Sequence, residues 1–277
     1  MPNSNVNYSS GALKMACIDA HLHVDMYAEE ERDVLLEEAF RNGVEAVVAV
    51  SMHLTSSKTN DALARKYEGR LHPAYGFHPE QELPLDVELG QLLSWIRERY
   101  AEGQAFAIGE VGLPYYKRTE LEAEGFLFNE KPYLSLLETF VQLAAELDRP
   151  IVLHAVYEDA DKVCDLLQTY NIRRAHFHWF KGSEATLERM IEAGYYVSIT
   201  PDVAYEKEII ELVKYYPIQL LMVETDGPWL FEGRYSGQQT VPCMVKQVIA
   251  DIAFIKGIEI SDAATILLHN TKRFYGI

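Results

Sequence analysis

Ala16-Cys17-Ile18-Asp19-Ala20-His21-Leu22-His23 is a short apolar run that closes on two histidines two residues apart. Side chains two apart on a strand share a face, so His21 and His23 leave this run on the same side. The plan recurs. Seven further runs of strand length follow: Val44 to Val50, Leu71 to His78, Ala105 to Leu113, Ile151 to Val156, Arg174 to Phe180, Tyr195 to Thr200, and Leu220 to Asp226. Most are rich in Val, Ile, Phe or Tyr, as strands are. His78 ends the third, Glu110 the fourth, His154 the fifth, His178 the sixth and Asp226 the eighth.

Between the runs lie stretches with apolar residues at three- and four-residue spacing, the helical period. They are Glu30 to Asn42, Asp86 to Tyr100, Pro132 to Leu147, Asp159 to Tyr170, Ser183 to Ala193, Val203 to Tyr215, Thr240 to Lys256 and Ser261 to Phe274. Strands alternating with helices predict an α/β fold, a (β/α)8 TIM barrel in a single domain, with a doubly wound open sheet as the rival. A barrel places its active site at the C-terminal strand ends, which is the rim where the histidines and carboxylates gather.

The length, 277 residues, suits one barrel. Residues 1–15 are polar with no apolar signal core, so they are expected to be a tail ahead of a domain over 16–277. No apolar run reaches the ~20 residues of a membrane span. Three widely spaced cysteines without a CxxC pair point to a reduced, cytoplasmic protein. The net charge of −17 argues against non-specific wrapping of duplex nucleic acid, though not against a nucleic-acid substrate at a metal site. No protein partner is predicted.

Taken singly, these residues are weak signals. A His-x-His pair is equally a hydrogen-bonded core pair, Glu110 after glycine is equally a capping residue, and Asp226 before Gly-Pro can make a turn. Six potential ligands from five strands on one rim make coincidence a poor account. Imidazole with carboxylate suits magnesium, manganese or zinc, the softer ions best. The two oxygens of Glu110 could bridge two divalent ions roughly 3.5–4 Å apart, an arrangement that clamps attacking and leaving oxygens. Asp226 is the choice for orienting the attacking water and taking its proton. Glu110 and Asp226 are thus the catalytic candidates. His176, two before His178, faces the same way, and the sequence leaves its role ambiguous. His53, His72 and His269 fall off the pattern.

The ordered set Asp19-Ala20-His21-Leu22-His23, Gly76-Phe77-His78-Pro79, Ile108-Gly109-Glu110-Val111-Gly112-Leu113, Pro150-Ile151-Val152-Leu153-His154, His178-Trp179-Phe180-Lys181-Gly182-Ser183 and Glu224-Thr225-Asp226-Gly227-Pro228 resembles the TatD family of metal-dependent deoxyribonucleases, within the amidohydrolase superfamily. The resemblance spans Cys17 to Ile277. It implies a two-metal phosphodiesterase acting on DNA, often from a 3′ end. By that resemblance His21, His23 and Asp226 hold one ion, Glu110 bridges, His154 and His178 hold the other, and His78 sits beside the scissile phosphate. The chain departs from the family where Ser-Arg follows the fifth-strand histidine, having Ala155 and Val156, and where Asp follows Gly-Leu, having Pro114. Lys181 and Arg234 are therefore expected to supply positive charge to the substrate. Hydrolysis of a small amide, ester or lactone is the alternative, and a non-enzymatic metal protein the least favoured.

Overall fold

A computed structural model describes residues 15–277. The tail expected over residues 1–15 lies, but for Met15, outside the described residues. Eight parallel strands run in sequence order: β1 (Cys17–Leu22), β2 (Val44–Ala49), β3 (Leu71–Tyr75), β4 (Ala107–Gly112), β5 (Ile151–His154), β6 (Ala175–Phe177), β7 (Tyr196–Ile199) and β8 (Leu221–Val223). Each lies inside a run expected from the sequence. An open doubly wound sheet does not keep its strands in sequence order, so the rival fold is set aside. The ring is drawn shut past the strand ends, where Asp226 N–H donates to His21 O at 3.0 Å and His23 N–H donates to Gly227 O at 2.9 Å. At the same seam Asp19 accepts from the backbone N–H and the hydroxyl of Thr225.

Among the described residues ten α-helices surround the strands: α1 (Glu29–Arg41), α2 (Leu54–Lys66), α3 (Asp86–Ala101), α4 (Tyr115–Ala123), α5 (Lys131–Leu147), α6 (Glu158–Thr169), α7 (Glu184–Ala193), α8 (Lys207–Tyr215), α9 (Val245–Lys256) and α10 (Ile260–Tyr275). The expected helices are present, with two shortened at their starts by 3-10 turns at Pro201–Ala204 and Pro242–Met244. Two helices were not anticipated. The buried face of α2 is polar: Ser56, Ser57, Asn60 and Asp61 point inward. Asn60 earns its burial by donating to Val50 O and to Ser51. The short α4 buries no residue and follows Pro114, so it shows no apolar stripe.

The main core lies between strands and helices, with Val47, Tyr75, Ile108, Leu153, Phe177 and Val197 facing Phe140, Val163, Val213 and Ile252. Two smaller clusters lie apart from this core. Val48, Val50, Ala74, Ala107 and Val152 form one cluster, and Ala20, Tyr196, Met222 and Phe274 another. Tyr275, from the last turn of α10, packs on both. The barrel is thus filled beneath its rim, and the polar groups at the rim stand over an apolar floor. Among the described residues no helix is long and apolar enough to cross a membrane.

Candidate metal centre

Seven residues singled out by their strand-end positions converge. Glu110, fully buried, is central. Its Oε2 lies 3.1 Å from His21 Nε2 and 3.2 Å from His23 Nε2. Its Oε1 lies 2.7 Å from His178 Nε2, 2.8 Å from His154 Nδ1 and 3.3 Å from His78 Nε2. Asp226 Oδ1 lies 3.3 Å from His21 Nε2 and 3.5 Å from His23 Nε2. Among the described residues three groups of potential ligand atoms are compact enough for an ion: His21 with His23 and Asp226, His78 with Glu110 and His154, and His21 with His178 and Glu224.

Local backbone explains the convergence. Gly109, at φ 152°, would place a Cβ 2.7 Å from Val152 Cβ, so glycine alone lets β4 lie this close to β5 beside Glu110. Three bulky or charged residues at the rim take left-handed φ: Tyr157 at 51°, Trp179 at 38° and Asp226 at 49°. Non-glycine residues avoid this region, and strain of this kind gathers at functional sites. Here it turns the chain just beyond β5, β6 and β8.

The donor set fits divalent cations. His21 Nε2, Glu110 Oε2 and Asp226 Oδ1 are buried and face one another, yet none makes a hydrogen bond. Buried polar atoms without partners are rare in folded proteins, and an ion between them accounts for the arrangement. The electrostatics agree. Burial alone would raise the Glu110 carboxyl, but His178, His78 and His21 and the bond from His154 hold it well below the carboxylate range. Burial likewise opposes ionisation of Asp226, and His21 more than offsets it. Against burial and the neighbouring His178, Glu110 and Asp226 push His21 up to about 9. The pocket is built around positive charge.

The sequence profile described as TatD related DNase matches residues 18–276. The chain belongs to this family. A metal-dependent hydrolase of uncharacterised role from Haemophilus influenzae is 35% identical over 257 residues, covering 93% of this chain and 98% of that protein. Human deoxyribonuclease TATDN3 is 28% identical over 276 residues, covering 95% and 96%. The crystal structure of YJJV, a TatD homolog from Escherichia coli, superposes with a TM-score of 0.81 at 25% identity, over 96% of this chain and 100% of that one. The chain is therefore a TatD-type metal-dependent hydrolase on a (β/α)8 barrel.

Around the centre of this TatD-family chain lie residues that support it. Glu224, on the same side as Asp226, accepts from Trp179 N–H at 2.8 Å and from the Ser198 hydroxyl. Ser198 therefore accepts from His176 Nε2, and His176 Nδ1 accepts from the Tyr275 hydroxyl at 2.8 Å. Both ring nitrogens of His176 are engaged, and burial holds it well below the histidine range. That answers the ambiguity between His176 and His178: His178 faces Glu110, while His176 supports the floor. Glu80, beyond β3, lies 3.1 Å from His154 Nε2. No sequence pattern marks it, because it meets His154 and α4 only through the fold. Lys181 stands 5.8 Å above the Trp179 ring, and Arg234 pairs with Asp251 of α9. His53 caps α2 and His269 bonds to Thr265 O, so both serve their own helices.

Proposed function

We propose that this hydrolase is a two-ion phosphodiesterase that removes nucleotides from DNA ends, most readily a 3′ end. The observation that carries the reading is Glu110, whose two oxygens face different histidine pairs. On this reading His21, His23 and Asp226 hold one ion, His154 and His178 the other, and Glu110 both. Magnesium, manganese or zinc would fit; when bound, such ions supply a nucleophile near neutral pH and neutralise charge on the phosphoryl oxygens. Asp226 orients the attacking water and accepts its proton. His78, at the open side of Glu110, touches the phosphate. Lys181 and Arg234 meet the rest of the strand in place of the arginine that Val156 lacks. A cytoplasmic location belongs to the same reading, since all three cysteines are free thiols.

The test is nucleotide release from a 3′-labelled single-stranded oligonucleotide by metal-stripped protein, with each ion added back. Cleavage that returns with metal and is absent in Glu110→Ala supports the reading. No cleavage by protein that binds two ions would sink it and turn the search to small amides, esters and lactones. Lys181→Ala and Arg234→Ala should each raise KM for the oligonucleotide; an unchanged KM removes that residue from the site.

A further inference from the structure

His21, His23 and His178 present Nε2 to the carboxylates of the centre. His154 presents Nδ1 instead, 2.8 Å from Glu110 Oε1, and turns Nε2 outward to Glu80 Oε1 at 3.1 Å. Glu80 is itself firmly held. Its Oε1 accepts the Tyr116 N–H at 2.9 Å and its Oε2 the Lys117 N–H at 2.7 Å, both in the first turn of α4. Those amide groups have no partner within the helix, and a carboxylate is their preferred acceptor.

The consequence is chemical. A carboxylate occupied by backbone donors only accepts, so His154 Nε2 must carry a proton. The lone pair of the neutral ring then sits on Nδ1, aimed at the centre. Carboxylates behind metal-ligating histidines commonly fix the ring in this way. The other ligand candidates lack such a hold. His178 Nδ1 is 3.7 Å from Glu224 Oε1, beyond hydrogen-bond reach, and His21 Nδ1 and His23 Nδ1 have no hydrogen-bond partner.

We propose that Glu80 is a positioning residue that fixes His154 as an Nδ1 ligand for one ion of the pair and ties α4, at the mouth of the barrel, to that ion's site. This rests on the two-ion reading but not on the substrate. The effect of losing Glu80 falls on one binding step and spares the other.

The experiment titrates zinc into the metal-stripped full chain by calorimetry, comparing wild type, Glu80→Ala and Glu80→Gln, and records ring ¹⁵N shifts of the zinc-loaded protein. Glu80→Ala should weaken one of the two binding steps by about 10- to 100-fold and leave the other within about twofold. Glu80→Gln keeps one acceptor oxygen and should recover part of the loss. In the wild type the His154 signals should show zinc on Nδ1 and the proton on Nε2. Unchanged affinity at both steps in Glu80→Ala, even with a lowered Tm, would reduce Glu80 to a cap on α4 and overturn the proposal. So would zinc on Nε2 of His154. Neither readout uses nucleic acid, so failure of the nuclease assay leaves this test intact.

Discussion

Glu110 meets His178 at 2.7 Å with Oε1, while its other oxygen is left to His21 and His23. One buried carboxylate thus faces both halves of the centre. It cannot lose an oxygen without changing what both halves offer a cation.

Glu110→Gln is the sharpest probe of that relationship. Glutamine keeps the shape but turns one oxygen into an NH2 donor, directed at histidine nitrogens meant to offer lone pairs. On the two-ion reading, the metal content of the variant should fall from two ions to at most one, and hydrolysis should fall by at least about 100-fold, the upper end of what a mere supporting residue costs. Metal analysis after dialysis checks the first and initial rates the second. Two ions retained in the variant would contradict the central placement of Glu110.

Asp226→Asn separates holding an ion from moving a proton. Asp226 Oδ1 lies 3.3 Å from His21 Nε2 and 3.5 Å from His23 Nε2, so it sits where both jobs are feasible. Asparagine still offers a carbonyl oxygen but cannot accept a proton at neutral pH. We expect part of the metal to stay and kcat to drop by about 10²- to 10⁴-fold, the scale of general-base catalysis. Full activity in the variant would remove Asp226 from the proton path.

The rim was legible in the sequence because strand geometry is simple. Short apolar runs of strand length, each ending on a reactive residue, point to His21, His23, Glu110, His154, His178 and Asp226. What lay outside those runs was not legible. The α2 helix buries Ser56, Ser57, Asn60 and Asp61, so its inward face reads as a surface. The α4 helix has no buried face to leave a mark. Glu80 sits in an irregular segment and acts through His154, which is distant in the chain, and no local pattern reports such a contact. His176, in β6, and His178, just beyond it, are two residues apart; nearness to the rim favours His178 as the ligand, and the fold adds what no local pattern reports, that His176 meets Tyr275.

The cysteines carry a pH prediction. Burial pushes the Cys17 and Cys164 thiols up to about 12 from 9.0. At pH 8 only about one Cys17 in 10,000 is then thiolate, the reactive form. Iodoacetamide at pH 8 should modify native protein at the half-buried Cys243 first, as read by peptide mass spectrometry. The sign for stability follows from linkage. A folded pKa above the unfolded one stabilises fully below the unfolded value and loses that stabilisation as pH rises through the folded value. Stability should therefore decline between pH 9 and about 12, and Cys17→Ala should make the decline shallower. Native Cys17 alkylated as fast as Cys243 would show that it is not sealed in the core.

Gly112 joins the stability of the barrel to the geometry of the centre. A Cβ placed there would lie 1.9 Å from His154 O and 2.6 Å from His154 C, and both are backbone atoms of the neighbouring strand. A flexible side chain could swing aside; β5 cannot, because it is paired to β4 and β6. Gly112→Ala must therefore push the strands apart at the residue that carries a candidate ligand. Overpacking at such a contact should cost about 3 kcal/mol or more, and for a chain of this size that lowers Tm by roughly 6–12 °C. The same displacement moves His154 away from Glu110. On the two-ion reading, the ion held by His154 should bind more weakly in the folded fraction of the variant, while the ion held by His21, His23 and Asp226 is spared. Thermal unfolding and zinc titration of one sample read both effects. A variant with wild-type Tm would show that β4 and β5 have more freedom than their close approach allows, and a lowered Tm with both zinc affinities intact would show that His154 does not ride on this contact.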